Sequence, residues 1–163
     1  MNMTDTHRQT LRCSLSVLAL ILLVSVRAMP STDSSELAPG SHDLIKPEQL
    51  AKVFQSSSAA KPTVLNVGPH VIYVQAHIPG AVYVGPTATQ ERIEALRART
   101  ASLPRDAEIV IYCGCCPWDH CPNIRPAYQE LKQMGFTKLK VLYIKNSFGS
   151  DWVDKGYPTA KGE

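Results

Sequence analysis

Four cysteines, Cys113, Cys115, Cys116 and Cys121, fall within nine residues of one another, and Arg125 follows closely. Thiolates are strong nucleophiles and soft metal ligands, so the cluster points to covalent sulfur chemistry, thiol–disulfide exchange or metal binding. A group this tight cannot staple distant segments together, and it therefore marks a local site rather than a disulfide framework. Just before it, Glu108 to Cys113 (EIVIYC) is a short β-branched run that reads as a central strand. Just after it, Asn123 to Met134 places Ala127, Leu131 and Met134 on one helical face, with Gly135 as a stop signal. The cysteines thus lie between a strand's C-terminal end and a helix's N-terminal end, where ligands bind in open α/β sheets. A helix start offers unpaired N–H groups and a partial positive charge, and both favour a thiolate over a thiol. Such surroundings lower a cysteine from a pKa of about 8.5 toward ~4 to 7. Arg125, in the first turn, would add to that field or hold an anionic substrate.

Several chemistries compete for these residues. Cys113 is either a nucleophile or a buried strand-end cysteine that packs as a small apolar side chain. For Cys115, Cys116 and Cys121 the first reading is a local disulfide, Cys116 to Cys121 or Cys113 to Cys121, in preference to the strained adjacent pair. The second is a resolving cysteine in a thiol–disulfide or persulfide relay. The third is a soft-metal site for Cu or Zn, drawn from Cys113, Cys115, Cys116, Cys121 and His120. No standard zinc spacing or Cys-x-x-Cys-His haem pattern is present, and no cofactor is required. His120 otherwise reads as a solvated loop residue, and Trp118, beside Pro117, as packing, a lid or a partner contact. Phosphate-ester cleavage by a Cys-x5-Arg cradle fails on spacing, because position 119 is Asp and Arg125 stands twelve residues after Cys113.

Elements able to position the loop alternate along the chain from near Leu44. Pro47 to Gln55 is a helix with Pro47 early in it, and Thr63 to Val67 and Ala81 to Val84 are strands. Thr87 and Gln90 have the form of a capping box, ahead of a helix to Leu103 that places Ile93, Leu96 and Thr100 on one face. Leu139 to Ile144 is the last strand, and Trp152 belongs to a short terminal helix or turn. Alternation of this kind argues for a parallel sheet between helices.

Three segments of this chain resemble the rhodanese-like domain family, over about residues 44 to 160. NVGPHVIYVQAHIPGAVYV resembles the family's stretch from an Asp-Val-Arg strand end to a Gly-His-Ile-Pro-Gly-Ala turn. IVIYC and the later RPAYQELKQMGF resemble its active strand and following helix, and Trp152 to Pro158 (WVDKGYP) resembles its closing segment. The resemblance implies an α/β fold with a mostly parallel five-stranded sheet flanked by helices. It also implies that Cys113 attacks the outer sulfur of thiosulfate or another sulfane donor, forming a persulfide that a thiol or cyanide then removes. His77, in the turn motif, would be a structural hydrogen-bonding residue near the site. This chain departs from the pattern at Asn66-Val67-Gly68, which replaces the acid and base and reads as a structural loss. It departs again in a loop about five residues longer than usual, and at Asn146, Ser147 and Phe148 in place of paired glycines.

Residues 1 to 28 have the form of a secretory signal peptide: His7, Arg8 and Arg12 precede an apolar run from Leu15 to Val26, then Val26-Arg27-Ala28. That run falls short of the ~20 residues of a membrane-spanning helix. The expectation is an exported protein, periplasmic or secreted, touching a membrane only if the signal stays uncleaved. Residues 29 to 43 read as a flexible leader and 44 to 160 as one domain. Of 17 Lys and Arg and 14 Asp and Glu, three and one fall in the signal, so the remainder is nearly neutral and no basic stripe suggests nucleic acid. The expected function is sulfur transfer with a small sulfur-containing anion or thiol as partner, and a protein redox partner is also compatible. The alternative is a non-catalytic redox or metal-binding module.

Overall fold

The computed structural model describes residues 38–57 and 60–163, so the expected signal peptide and most of the expected leader lie outside it. At the leader's end, Ser41–Asp43 form one 3-10 turn, with the Gly40 N–H donating to the buried Asp43 carboxylate at 3.0 Å.

Five strands form one all-parallel sheet: β1 (Leu44–Ile45), β2 (Thr63–Asn66), β3 (Val82–Tyr83), β4 (Glu108–Tyr112) and β5 (Lys138–Leu142). Their spatial order is β1-β5-β4-β2-β3, which puts β4 at the centre. Four helices connect them: α1 (Pro47–Gln55), α2 (His70–Gln75), α3 (Gln90–Thr100) and α4 (Ile124–Gln133). A helical turn, Gly149–Val153, closes the domain.

Because helices cover both faces, the central strand is buried and apolar from Ile109 to Tyr112 rather than alternating. Ile109 and Ile111 pack with Leu96 of α3 and Ala127 and Leu131 of α4. Val110 and Tyr112 point the other way, into a second core with Leu50 of α1, Tyr73 of α2, and Phe148 and Trp152. Each fully buried large apolar side chain contributes about 1.5–3 kcal/mol. Trp152 is wholly buried, stacks on Phe148 at 5.8 Å and donates its indole N–H to the Pro158 carbonyl at 2.9 Å.

Pro47 stands at the first position of α1, as its fixed φ favours. The capping box expected at Thr87 and Gln90 does not form. α3 starts at Gln90 with Thr89 as its cap residue, and the Thr87 hydroxyl instead donates to the Asn123 carbonyl at 2.6 Å. Long-range packing thus takes the hydroxyl that local sequence would assign to a cap. Across the same helix pair, the Arg97 guanidinium holds the buried Glu130 carboxylate with two hydrogen bonds. α2 and the two-residue β1 are elements that the sequence pattern does not announce.

Candidate active site

Where β4 ends, Val67 continues the ladder by donating its N–H to the Tyr112 carbonyl at 2.9 Å, and the chain turns out of the sheet at Cys113. Gly114 makes that turn with φ +90°, a conformation that strains any residue with a Cβ. A Cβ there would also lie 3.0 Å from the Phe148 Cβ. Two backbone bonds fasten the loop to the segment that follows β5, the strand beside β4: Phe148 N–H to the Gly114 carbonyl and Trp118 N–H to the Ile144 carbonyl, both 2.9 Å. Trp118 packs half-buried against the α3/α4 core.

Cys113 is buried, with 2% of its surface exposed. Its Sγ lies 3.2 Å from the Cys115 Sγ and 3.5 Å from the Asn123 Nδ2. A hydrogen bond from the Cys121 thiol, then the Asn123 amide, the Cys115 backbone N–H and the Cys115 thiol favour its thiolate. Against the penalty of burial, they bring its pKa down from 9.0 to about 5. The same contacts act inversely on the donors. Burial and the neighbouring thiols push Cys115 up to about 12, and its bond to Cys113 pushes Cys121 well up. The cluster therefore favours the anionic form at Cys113 over Cys115 and Cys121.

Asn123 has no counterpart among the residues that sequence reasoning selected. It precedes α4 but makes no side-chain cap. Its Oδ1 accepts the Ala88 N–H at 3.1 Å while its Nδ2 faces Cys113. An Asn before a helix reads locally as a cap, and nothing nearby in the chain says that it spans to residue 113.

The Asn66-Val67-Gly68 segment, read from sequence as a loss, serves this site. Buried Asn66 accepts the Gly68 N–H at 3.0 Å and donates to the Cys113 carbonyl at 3.5 Å, a donation that a carboxylate cannot make. A Cβ on Gly68 would stand 2.1 Å from the Cys113 carbonyl oxygen and 3.3 Å from its Sγ. Cys113 occupies the space that a side chain at position 68 would fill.

The local disulfide expected at Cys116–Cys121 or Cys113–Cys121 is not formed; all four cysteines of the loop are free thiols. The turn at Gly114 makes Cys113 and Cys115 close neighbours, a pair that chain spacing did not single out. Among the metal candidates, Cys113, Cys115 and Cys121 bring their sulfurs within 4.8 Å of one another. Cys116 and His120 lie outside that set, and His120 pairs with Asp119 at 2.9 Å. Zn–S bonds of about 2.3 Å in a tetrahedron hold sulfurs ~3.8 Å apart. The 3.2 Å pair is closer than that and fits thiol–thiolate contact better than ligands spread around an ion.

Arg125 is exposed and lines a groove of about 330 Å³ with Trp118, His120 and Cys121 on the loop's outer side. His77 is buried. Its Nδ1–H donates to the Tyr73 carbonyl at 2.9 Å, its ring stacks on Tyr73, and its backbone pairs with Ala160. In place of paired glycines, the Asp151 carboxylate gathers the Lys145 and Asn146 N–H groups at 2.7 Å each, and Phe148 fills the core.

Comparison with known proteins places this architecture. Several solved structures share the fold. The rhodanese-like domain of the Alr3790 protein from Anabaena sp. matches with TM-score 0.53 and 24% identity, over 74% of this chain and 80% of that one. The BH2092 protein from Bacillus halodurans matches with TM-score 0.54 and 19% identity, over 72% and 75%. YnjE matches with TM-score 0.54 and 22% identity, over 74% of this chain and 31% of its own. No curated protein sequence matches. A sequence model described as the rhodanese-like domain matches residues 46–151, nearly the whole span from α1 to the terminal turn, and this chain belongs to that family.

Proposed function

We propose that this protein is a sulfur carrier in which Cys113 takes sulfane sulfur from an anionic donor such as thiosulfate. One observation carries the reading: a buried cysteine sulfur at the end of the central strand, with the Cys115 thiol at 3.2 Å and the Asn123 amide at 3.5 Å as donors that favour its thiolate. Membership in the family supports a module of the sulfurtransferase type. The Cys113 thiolate attacks the outer sulfur of thiosulfate, an S–S bond forms to Cys113, and sulfite leaves with the electron pair of the broken bond.

Substrate reaches Cys113 when Cys115, the most exposed of the four cysteines, swings aside from its thiol contacts. Arg125, on the outer groove, draws the anion toward the loop. Mixing reduced protein with thiosulfate tests the reading. A burst of one sulfite per chain that is lost in Cys113→Ser supports it; no burst from the wild type, or an equal burst from both, overturns it.

A further inference from the structure

Sulfur uptake by Cys113 uses Cys115 as a donor and a gate, and the loop also places its sulfur within direct reach of the Cys113 sulfur. Gly114, at φ +90°, folds Cys115 back until its Sγ is 3.2 Å from the Cys113 Sγ. That is roughly 1 Å beyond an S–S bond of about 2.05 Å. In a Cys113 persulfide, the Cys113 Sγ is the inner sulfur, so Cys115 faces the inner atom of the new bond.

We propose that Cys115 resolves the Cys113 persulfide, converting the carrier into a sulfide-releasing device; this rests on Cys113 carrying the sulfur. The Cys115 sulfur attacks the inner sulfur, and a bond forms between Cys113 and Cys115. The bond between inner and outer sulfur breaks, and the outer sulfur leaves with its electron pair as hydrosulfide. A persulfide anion and the Cys115 thiol thereby become a disulfide and HS⁻, with the thiol proton passing to the leaving sulfur. The cysteine pair is oxidised and the sulfane sulfur is reduced, so no outside oxidant enters.

Burial favours the same assignment. Cys121 is nearly as buried as Cys113, whereas Cys115 is exposed, so the disulfide would present one sulfur to solvent and one to the core. A dithiol reductant then attacks the Cys115 sulfur, frees Cys113 as the leaving thiolate and departs as its own cyclic disulfide. The partner class is therefore a dithiol, either a small molecule or a protein presenting paired cysteines.

Anaerobic incubation of the reduced chain with thiosulfate, read by intact and fragment mass together with sulfite and sulfide assays, tests the proposal. Wild type should release one sulfite and one sulfide and become two hydrogens lighter, with Cys113 joined to Cys115. Dithiothreitol should then restart turnover. Cys115→Ser should release sulfite alone and remain one sulfur atom heavier. Wild type that stays one sulfur heavier and releases no sulfide overturns the resolving role and leaves the carrier intact. A disulfide to Cys121 also overturns the role of Cys115. No sulfite from either protein overturns the carrier and the resolving step together.

Discussion

Asn123 offers the sharpest test of how the site holds its charge. Its Nδ2 stands 3.5 Å from the Cys113 Sγ and its Oδ1 accepts the Ala88 N–H. A hydrogen bond to a charged group contributes about 1.5–3 kcal/mol. At this separation the lower figure applies, and at 1.36 kcal/mol per pKa unit Asn123→Ala should raise Cys113 by roughly one unit. It should also cost about 1–3 kcal/mol of stability, since the Ala88 N–H loses its partner. Asn123→Asp separates the two effects. The carboxylate still accepts from Ala88 but replaces the donor facing the thiolate with a negative charge. Two unit charges ~4 Å apart repel by about 4 kcal/mol at an effective dielectric of about 20, a further rise of roughly 3 units. Cys113 should then titrate near an ordinary thiol. Iodoacetamide labelling across pH, resolved to Cys113 by fragment mass spectrometry, reads the midpoint. The expected order is wild type lowest, then Asn123→Ala, then Asn123→Asp, with the melting temperature falling more for Ala. Equal midpoints in all three, or a lower one for Asp than for Ala, would refute the role given to this amide.

Other predictions follow the same contacts. Cys121→Ala should raise the Cys113 midpoint, while Cys121→Ser, which keeps a donor, should restore most of the shift; the same labelling checks both. Gly68→Ala would drive a Cβ into the Cys113 carbonyl at 2.1 Å, and should lower the thermal midpoint and slow sulfite release together. Asn66→Asp should destabilise by about 1–3 kcal/mol in urea unfolding, because the Cys113 carbonyl loses its donor. Stability should itself depend on pH. Cys113 is depressed from 9.0 to about 5, so its contribution is full above pH 9 and fades as pH falls toward 5. Cys115 and Cys121 are raised, so theirs is full below pH 9 and is lost as pH rises beyond it. The urea midpoint should climb from pH 5 to 9 and decline above, and Cys113→Ala should flatten the climb.

Much of this site was legible because its supports are periodic. The EIVIYC run must be buried on both faces, and the apolar spacing after Asn123 makes a helix, so the cysteine loop had to leave the end of a central strand. α2 was not legible. Its sequence, HVIYVQ, is β-branched and aromatic and has the propensity of a strand, yet Tyr73 packs into the core and stacks on His77, and tertiary contacts decide. The short β1 gave too few residues to show alternation. Within the loop, composition located the chemistry but not the pairing. Chain spacing favoured Cys121 as a disulfide partner, and one glycine in the left-handed region brought Cys115 close to Cys113 instead. The same holds for Gly68, whose meaning lies in a carbonyl 45 residues later and not in its neighbours.

Direct localisation of the transferred sulfur tests the central claim most plainly. Cys115→Ser protein, in which a persulfide should persist, is treated with thiosulfate, capped by alkylation and fragmented in a mass spectrometer. The account predicts one additional sulfur atom, carried by Cys113. Sulfur carried instead by Cys116 or Cys121, or no added sulfur at all, would contradict it.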